Sequence, residues 1–337
     1  MRAAVWNASG NLDVVDRPVP EPRPGWARLR VCSAGICGTD LHFYRGSFPA
    51  PAGLLPGHEV GGAVDAVGEG VELAIGTPVA VEPLVGCGGC AHCRTGNYNR
   101  CQRRTLFGVT GRGGLAEYMT VPAASLYPLP EGLSAEAGSL VEPLAVCVRG
   151  TRLAGVELGT RVAVLGTGSI GLLSLVSARA SGAIEVYATA RHPAQREQAA
   201  ALGADGIFSS GDELAAALGE RPVDVVIETV GGKAETLAEA VRLVRPGGSI
   251  GMLGVFDGPA ALPAIDFSVK EVRLVGSNCY AWSGGLRDFA VAIELLRANL
   301  ARLTPLVTHR FPLERVNEAF ATAADKSTGA IKVQLTP

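Results

Sequence analysis

The chain has 337 residues, 47% of them hydrophobic, and a formal net charge of −2 from 30 basic and 32 acidic side chains. At roughly 150 residues per domain, the length predicts two domains, each with its own core. Charged residues are only 18%, which argues against long disordered tails, and a balanced charge without a basic patch argues against nucleic acid as the main partner.

The N-terminal part reads as β-rich. Short alternating runs, Ala27 to Val31 and Val60 to Val67, lie between Pro and Gly clusters such as Pro18-Val19-Pro20-Glu21-Pro22. From about residue 160 the rhythm changes. Apolar runs at Arg161 to Leu165, Ala183 to Thr189, Val223 to Glu228, Ser249 to Leu253 and Arg273 to Gly276 alternate with helical stretches. Those stretches are Ser169 to Ser181, Pro193 to Leu202, Asp212 to Leu218 and Lys233 to Val244. Strict alternation predicts βαβ units and a parallel sheet covered on both faces. A helix over Gly285 to Ala298 then leads back to short strands at Leu303 to Arg310 and Ala330 to Leu335. The most apolar window, Val162 to Ala178, is broken by Gly166, Gly168 and Gly171, so it reads as strand, turn and buried helix rather than a membrane span of ~20 apolar residues. The N-terminus is interrupted at Asn7 and leaves no room for a signal peptide, so the expected setting is cytoplasmic, with no membrane partner.

Val162-Ala163-Val164-Leu165 precedes Gly166-Thr167-Gly168-Ser169-Ile170-Gly171 and an apolar helix, which is the context a dinucleotide-binding turn requires. Gly166 permits the tight turn, Gly168 lets a pyrophosphate approach the helix N-terminus with Ser169 and Ile170, and Gly171 packs the helix on the sheet. An acid that would hold the ribose hydroxyls of NAD belongs about 20 residues further on. That strand instead ends Thr189-Ala190-Arg191-His192. Ala190 leaves room for a 2'-phosphate, and Arg191 with His192 can pair with it, so NADP(H) is favoured over NAD(H). The bland alternative is that both are solvated residues at a strand end.

Eight cysteines without a secretion signal are better read as thiols or metal ligands than as disulfides. Cys87, Cys90, Cys93 and Cys101, in a Gly-rich stretch, can close a tetrahedral structural zinc shell; His92 inside that loop reads as a bystander. Cys32, Cys147 and Cys279 read as buried thiols. A second constellation is Cys37-Gly38-Thr39-Asp40-Leu41-His42 with Gly57-His58-Glu59 and Glu142. Cys37, His58 and a carboxylate would give zinc three ligands and leave a fourth position for water or substrate. Taken singly, each has an ordinary structural explanation.

In order and spacing these motifs resemble, over essentially the whole chain, the zinc-dependent medium-chain dehydrogenases of the alcohol dehydrogenase superfamily, closest to the sorbitol (polyol) and threonine branch. The resemblance implies a two-domain α/β fold. A GroES-like catalytic domain would be formed by 1–147 and 286–337, with the zinc lobe at about 86–102. A Rossmann domain would span 148–285, and the active site would lie in the cleft. It implies two zinc ions per chain, with Glu59 and Glu142 completing the catalytic site directly or through water. Asp40 would accept from the other ring nitrogen of His58. Thr39 and His42 would relay the alcohol proton, and Lys332 would contact the cofactor pyrophosphate. The implied reaction moves a hydride between NADP(H) and a secondary alcohol, polyol or ketone in a homo-tetramer or homo-dimer, joined at the sheet edge near Arg273 to Gly276. The sorbitol branch carries the NAD-selecting acid that Ala190 replaces here. Phe43, Tyr44, Arg45, Phe48, Tyr280 and Trp282 are candidates for the substrate pocket. The rival readings are an NAD-dependent polyol or threonine-type dehydrogenase, a zinc-free reductase, whose relatives lack these cysteines, and a non-enzymatic nucleotide sensor, which would need no proton relay.

Overall fold

The computed structural model describes residues 1–50 and 52–337. The chain separates into two compact units, Met1–Glu142 with Ala281–Pro337, and Pro143–Tyr280. The division therefore lies earlier than the expected 147/148 and 285/286. The first division falls inside the continuous helix Val141–Ala154: Glu142 in its first turn faces the residues around His58, while the Cys147 thiol, further along, bonds the Ile170 carbonyl at 3.3 Å.

In the first unit both chain ends enter one sheet. Its strand order is Val307–Pro312, Lys332–Thr336, Trp26–Gly35, Glu59–Val67, Pro78–Val81 and Leu126–Pro128, with Tyr118–Pro122 also paired to Trp26–Gly35. The long strand Trp26–Gly35 is the hub. Its alternate residues Ala27, Leu29 and Val31 are buried, and with Trp6, Val60, Phe320 and Leu335 they form the core. Each Leu, Val or Phe among them taken out of water contributes roughly 1.5–3 kcal/mol. Arg28 and Arg30, on the other face, bear on polar partners or solvent. At its C-terminal end the hub pairs Gly35 with both Glu59 and Gln334, so three distant segments meet there.

The second unit holds a six-stranded, all-parallel sheet ordered Gly206–Phe208, Glu185–Thr189, Arg161–Leu165, Val223–Glu228, Val244–Met252 and Arg273–Gly276. In chain order this is 3-2-1-4-5-6, the doubly wound arrangement of dinucleotide-binding domains. Val162 to Leu165 are wholly buried, as expected of a strand covered on both faces. Helices Ser169–Ala180, Pro193–Ala201, Gly211–Leu218, Thr236–Leu243 and Ala264–Val269 alternate with these strands, and Val141–Ala154 brings Ala154 against Gly251 of the sheet.

Several boundaries differ from the sequence expectation. Strand Gly206–Phe208 is too short to stand out as an apolar run. The expected helix from Gly285 begins at Asp288, because Leu286–Arg287 pairs with Trp282–Ser283 in a hairpin. The segment from Leu303 first runs through a 3-10 turn at Thr304–Leu306, so its strand starts at Val307. Among the described residues, no helix is long and apolar enough to cross a membrane.

Candidate active site

The hub strand ends at Gly35, and two residues later Cys37 is the N-cap of the helix Gly38–Tyr44. Asp40, in the first turn, accepts the Cys37 N–H at 2.9 Å and fixes the start of that helix. Thr39 and His42 stand three residues apart and therefore share a face; both are half-buried, whereas Asp40, Leu41 and Phe43 turn inward. The His42 ring stacks on Phe48 at 4.9 Å.

His58, Asp40, Glu59 and Glu142 are all buried. Glu59 begins the strand beside Gly35, where a Cβ would lie 2.0 Å from the Glu59 Oε2, so only glycine allows this carboxylate its place. Three carboxyl groups packed in a dry site with His58 and Lys332 leave it short of positive charge. Burial pushes Glu142 up to about 7 and raises Asp40, against the lowering influence of His58. Burial alone would lower His58, but the Asp40 and Cys37 charges and a bond to the Cys37 side chain outweigh it and hold the imidazole well above its ordinary value.

The expected His58–Asp40 hydrogen bond is not formed. Nδ1 and Oδ1 stand 3.8 Å apart, and both are buried without a partner. A thiol, an imidazole and a carboxyl in an electron-rich, water-poor site are the donor set of a zinc centre with an open position. The donor atoms of Cys37, His58 and Glu142 are not drawn as close together as those of the four lobe cysteines, which are the one such group among the described residues with all atoms within 4.8 Å of each other.

Those four, Cys87, Cys90, Cys93 and Cys101, fit a closed thiolate shell. Backbone N–H groups of Gly89 and Cys90 pull the Cys87 thiol down to about 6, while desolvation pushes Cys93 up to about 11. Arg103 Nη2 adds a donor to Cys87 Sγ at 3.3 Å. The lobe is tied down by the Trp282 N–H, which bonds the Gly96 carbonyl at 3.1 Å. His92 is exposed, as expected of a bystander.

In the second unit the turn after Arg161–Leu165 is built as its sequence requires. Gly166 has φ +89°, and Gly171 carries its missing Cβ only 1.8 Å from the Gly166 carbonyl, so the helix lies directly on the turn. Gly168 caps the helix, and half-buried Ser169 and Ile170 form its first turn, the kind of helix start that suits an anion. The Gly166 N–H bonds Thr189 Oγ1 at 2.9 Å, and Thr167 Oγ1 bonds the Thr189 carbonyl at 3.0 Å, joining the turn to the end of the next strand. There Ala190 is buried, Arg191 exposed and His192 half-buried as the N-cap of Pro193–Ala201. Arg196 also reaches this end, donating to the carbonyls of Ala190 at 3.2 Å and Ile207 at 2.9 Å.

Residues 23–131 match the family model of the alcohol dehydrogenase GroES-like domain, and 169–298 that of the zinc-binding dehydrogenases. Sorbitol dehydrogenase of Gallus gallus is 35% identical over 99% of this chain and 95% of its own. The chain is a zinc-type medium-chain dehydrogenase, in the branch of the sorbitol and threonine dehydrogenases. A zinc-binding dehydrogenase from Sinorhizobium meliloti 1021, bound to NADP, superposes with a TM-score of 0.91 at 31% identity, covering 100% of this chain and 99% of that one. An alcohol dehydrogenase from Escherichia coli CFT073 complexed with NADH gives the same TM-score of 0.91, identity of 31%, and coverage of 100% and 99%.

Within this medium-chain dehydrogenase, Lys332 departs from the role expected of it. The side chain is buried, and its ammonium donates to Glu59 Oε1 at 2.7 Å, Glu59 Oε2 at 2.6 Å and the Ile36 carbonyl at 3.2 Å. An ammonium has three protons, so none is left for a pyrophosphate. Lys332 is an internal counter-charge of the acidic cluster. Two candidate pocket residues also belong elsewhere: Phe43 packs in the core against Trp6, and Tyr44 against Phe320. Tyr280 is buried, Trp282 is held at the lobe, and Arg45 Nη2 bonds the Ala324 carbonyl at 2.9 Å. Of the three cysteines expected to be buried, Cys147 is, while Cys32 and Cys279 are only half-buried. The contacts that Thr167, Thr189 and Arg196 make at the dinucleotide turn depend on strands meeting in register, which their spacing in the chain does not reveal.

Proposed function

We propose that this dehydrogenase transfers a hydride between NADP(H) and a secondary alcohol or polyol, or the corresponding ketone. The observation that carries the cofactor choice is the end of strand Glu185–Thr189: no carboxylate stands there, Ala190 is small, and the exposed Arg191 lies beside it with Arg196 anchored on the same strand end. Arginine offers a fork suited to phosphate. The zinc-bound donor set would be Cys37, His58 and Glu142, since Lys332 already occupies both oxygens of Glu59. Zinc held there supplies a Lewis acid that lowers the pKa of an alcohol or polarises a ketone. The Thr39 hydroxyl would accept the alcohol proton and pass it, through the ribose hydroxyl of bound nucleotide, to His42 and then to solvent. In such a transfer the carbinol carbon would lose a hydride to bound nucleotide and the hydroxyl oxygen would lose its proton to the relay, leaving a ketone. A second zinc in the lobe, a homo-dimeric or homo-tetrameric assembly and a reducing cytoplasmic setting that keeps the thiols free complete the reading.

Arg191→Ala tests it. One charge-assisted contact is worth roughly 1.5–3 kcal/mol, so KM for NADP should rise about ten- to hundredfold while that for NAD changes little. An equal effect on both nucleotides, or none, would contradict the cofactor assignment.

A further inference from the structure

The buried carboxyl of Glu228 has no part in the chemistry described above, yet it sits at a revealing place. It ends the strand Val223–Glu228, the neighbour of Arg161–Leu165 at the point where the strand order reverses and open α/β sheets bind their ligands. Its side chain is fully buried, at 0% exposure. One oxygen, Oε1, accepts three hydrogen bonds, from the N–H of Val230 at 2.8 Å, the N–H of Gly231 at 3.1 Å and the Thr236 hydroxyl at 2.7 Å. The other, Oε2, has no partner and lies where a Cβ on Gly254 would approach it to 2.3 Å. A group that costs this much to bury is retained for what it holds in place.

What it holds is the segment 229–236, and that segment bears on the dinucleotide turn. The Thr229 hydroxyl donates to the carbonyls of Leu165 at 2.9 Å and Gly166 at 3.1 Å. The Val230 Cγ2 lies 2.5 Å from where a Cβ on Gly166 would be, and Val230 is 45% exposed beside that turn. We infer that Glu228 is a positioning residue for the nucleotide: by folding Val230 and Gly231 back onto one carboxyl oxygen it sets Thr229 and Val230 against the glycine turn, and so sets the affinity of the dinucleotide site. The inference rests on the nucleotide reading of that turn and adds a residue to it.

The test is a fluorescence titration of the full-length protein with NADPH and NADH, alongside steady-state kinetics and thermal unfolding. Glu228→Ala removes three hydrogen bonds and should weaken NADPH binding about tenfold or more. KM for the nucleotide should rise, with KM for the alcohol and kcat at saturating nucleotide little changed. Glu228→Gln keeps an oxygen able to accept the same bonds and should restore most of the lost affinity. Thr236→Val removes one donor and should weaken binding about threefold. A Glu228→Ala protein that is less heat-stable but binds NADPH within twofold of the unmodified chain would overturn the inference, leaving Glu228 a purely structural residue. If that variant does not fold, the other two decide: unaltered affinity in Thr236→Val overturns it, and a graded loss supports it. An unmodified protein that binds neither nucleotide would instead overturn the dinucleotide reading itself.

Discussion

Replacing Lys332 with methionine gives the most exacting test of how the acidic cluster is held. The side chains are similar in length, so the change removes a charge and three hydrogen bonds with little loss of volume. What remains is the Glu59 carboxyl, wholly buried, with both oxygens stripped of their donor. Breaking a buried ion pair from one side costs about 3–5 kcal/mol, because the remaining charge has no solvent to return to. For a domain of 150–250 residues each kcal/mol corresponds to roughly 2–4 °C, so the fall in Tm should be about 6–20 °C. Calorimetry should be run on chelator-treated and zinc-loaded protein. In the zinc-loaded protein the fall should be less than half as large if zinc binds at the proposed site beside Glu59, where its charge would replace that of the lost ammonium. A change under about 2 °C in the chelated protein would show that Lys332 is not the counter-charge of the cluster, since the pair would then contribute less than about 1 kcal/mol.

Other consequences follow from separate parts of the molecule. Cys90→Ser should lose the lobe metal, bringing zinc content from two per chain to one and lowering Tm, whereas Cys37→Ser should abolish turnover with nucleotide binding intact; metal analysis showing full zinc in Cys90→Ser would count against the lobe assignment. Glu185, bonded by Arg161 at 2.6 Å, Tyr187 at 2.8 Å and Arg221 at 3.0 Å, is held at about 2 in the folded state, with the Arg161 bond as the chief cause. A carboxyl held below its unfolded value stabilises above that value, so its contribution is full above about pH 4.5 and is lost as pH falls toward 2. Glu185→Gln should therefore lower the urea midpoint at pH 7 and converge on the unmodified protein near pH 2; an equal deficit at both pH values would contradict this. Strand Arg273–Gly276 is an edge of the six-stranded sheet, and the nearby Ile265 and Val269 are 80% and 79% exposed. Light scattering at micromolar concentration should give a dimer or tetramer, and a monomer would disprove the proposed assembly.

Much of this was legible because it is local. The glycine turn between a strand and a helix, and four cysteines within fifteen residues of chain, carry their geometry in their spacing. The parallel sheet was readable for a related reason: strands such as Arg161–Leu165, covered on both faces, are nearly all apolar. The Lys332–Glu59 pair was not readable. Its partners are separated by 273 positions and meet only because Lys332–Thr336 and Glu59–Val67 flank the same end of the hub strand. A lysine at the start of a strand looks solvated until that pairing is known. Glu228 was hidden in a similar way, since its strand reads as an ordinary apolar run and only the fold-back of Val230 and Gly231 reveals what its carboxyl does. Strand Gly206–Phe208, with three half-buried residues at a sheet edge, had too little pattern to detect.

Zinc-dependent hydride transfer with NADP as the preferred partner can be tested in a single comparison of the two nucleotides. Reduction of NADP and of NAD is followed at saturating zinc against a panel of polyols, diols and amino alcohols, and kcat/KM for the two nucleotides is compared on the best substrate. The value should be about ten- to hundredfold higher for NADP, the equivalent of one good arginine–phosphate contact, and turnover should be lost on chelation. A higher kcat/KM for NAD would contradict the cofactor assignment, and full activity after the metal is removed would contradict the chemistry.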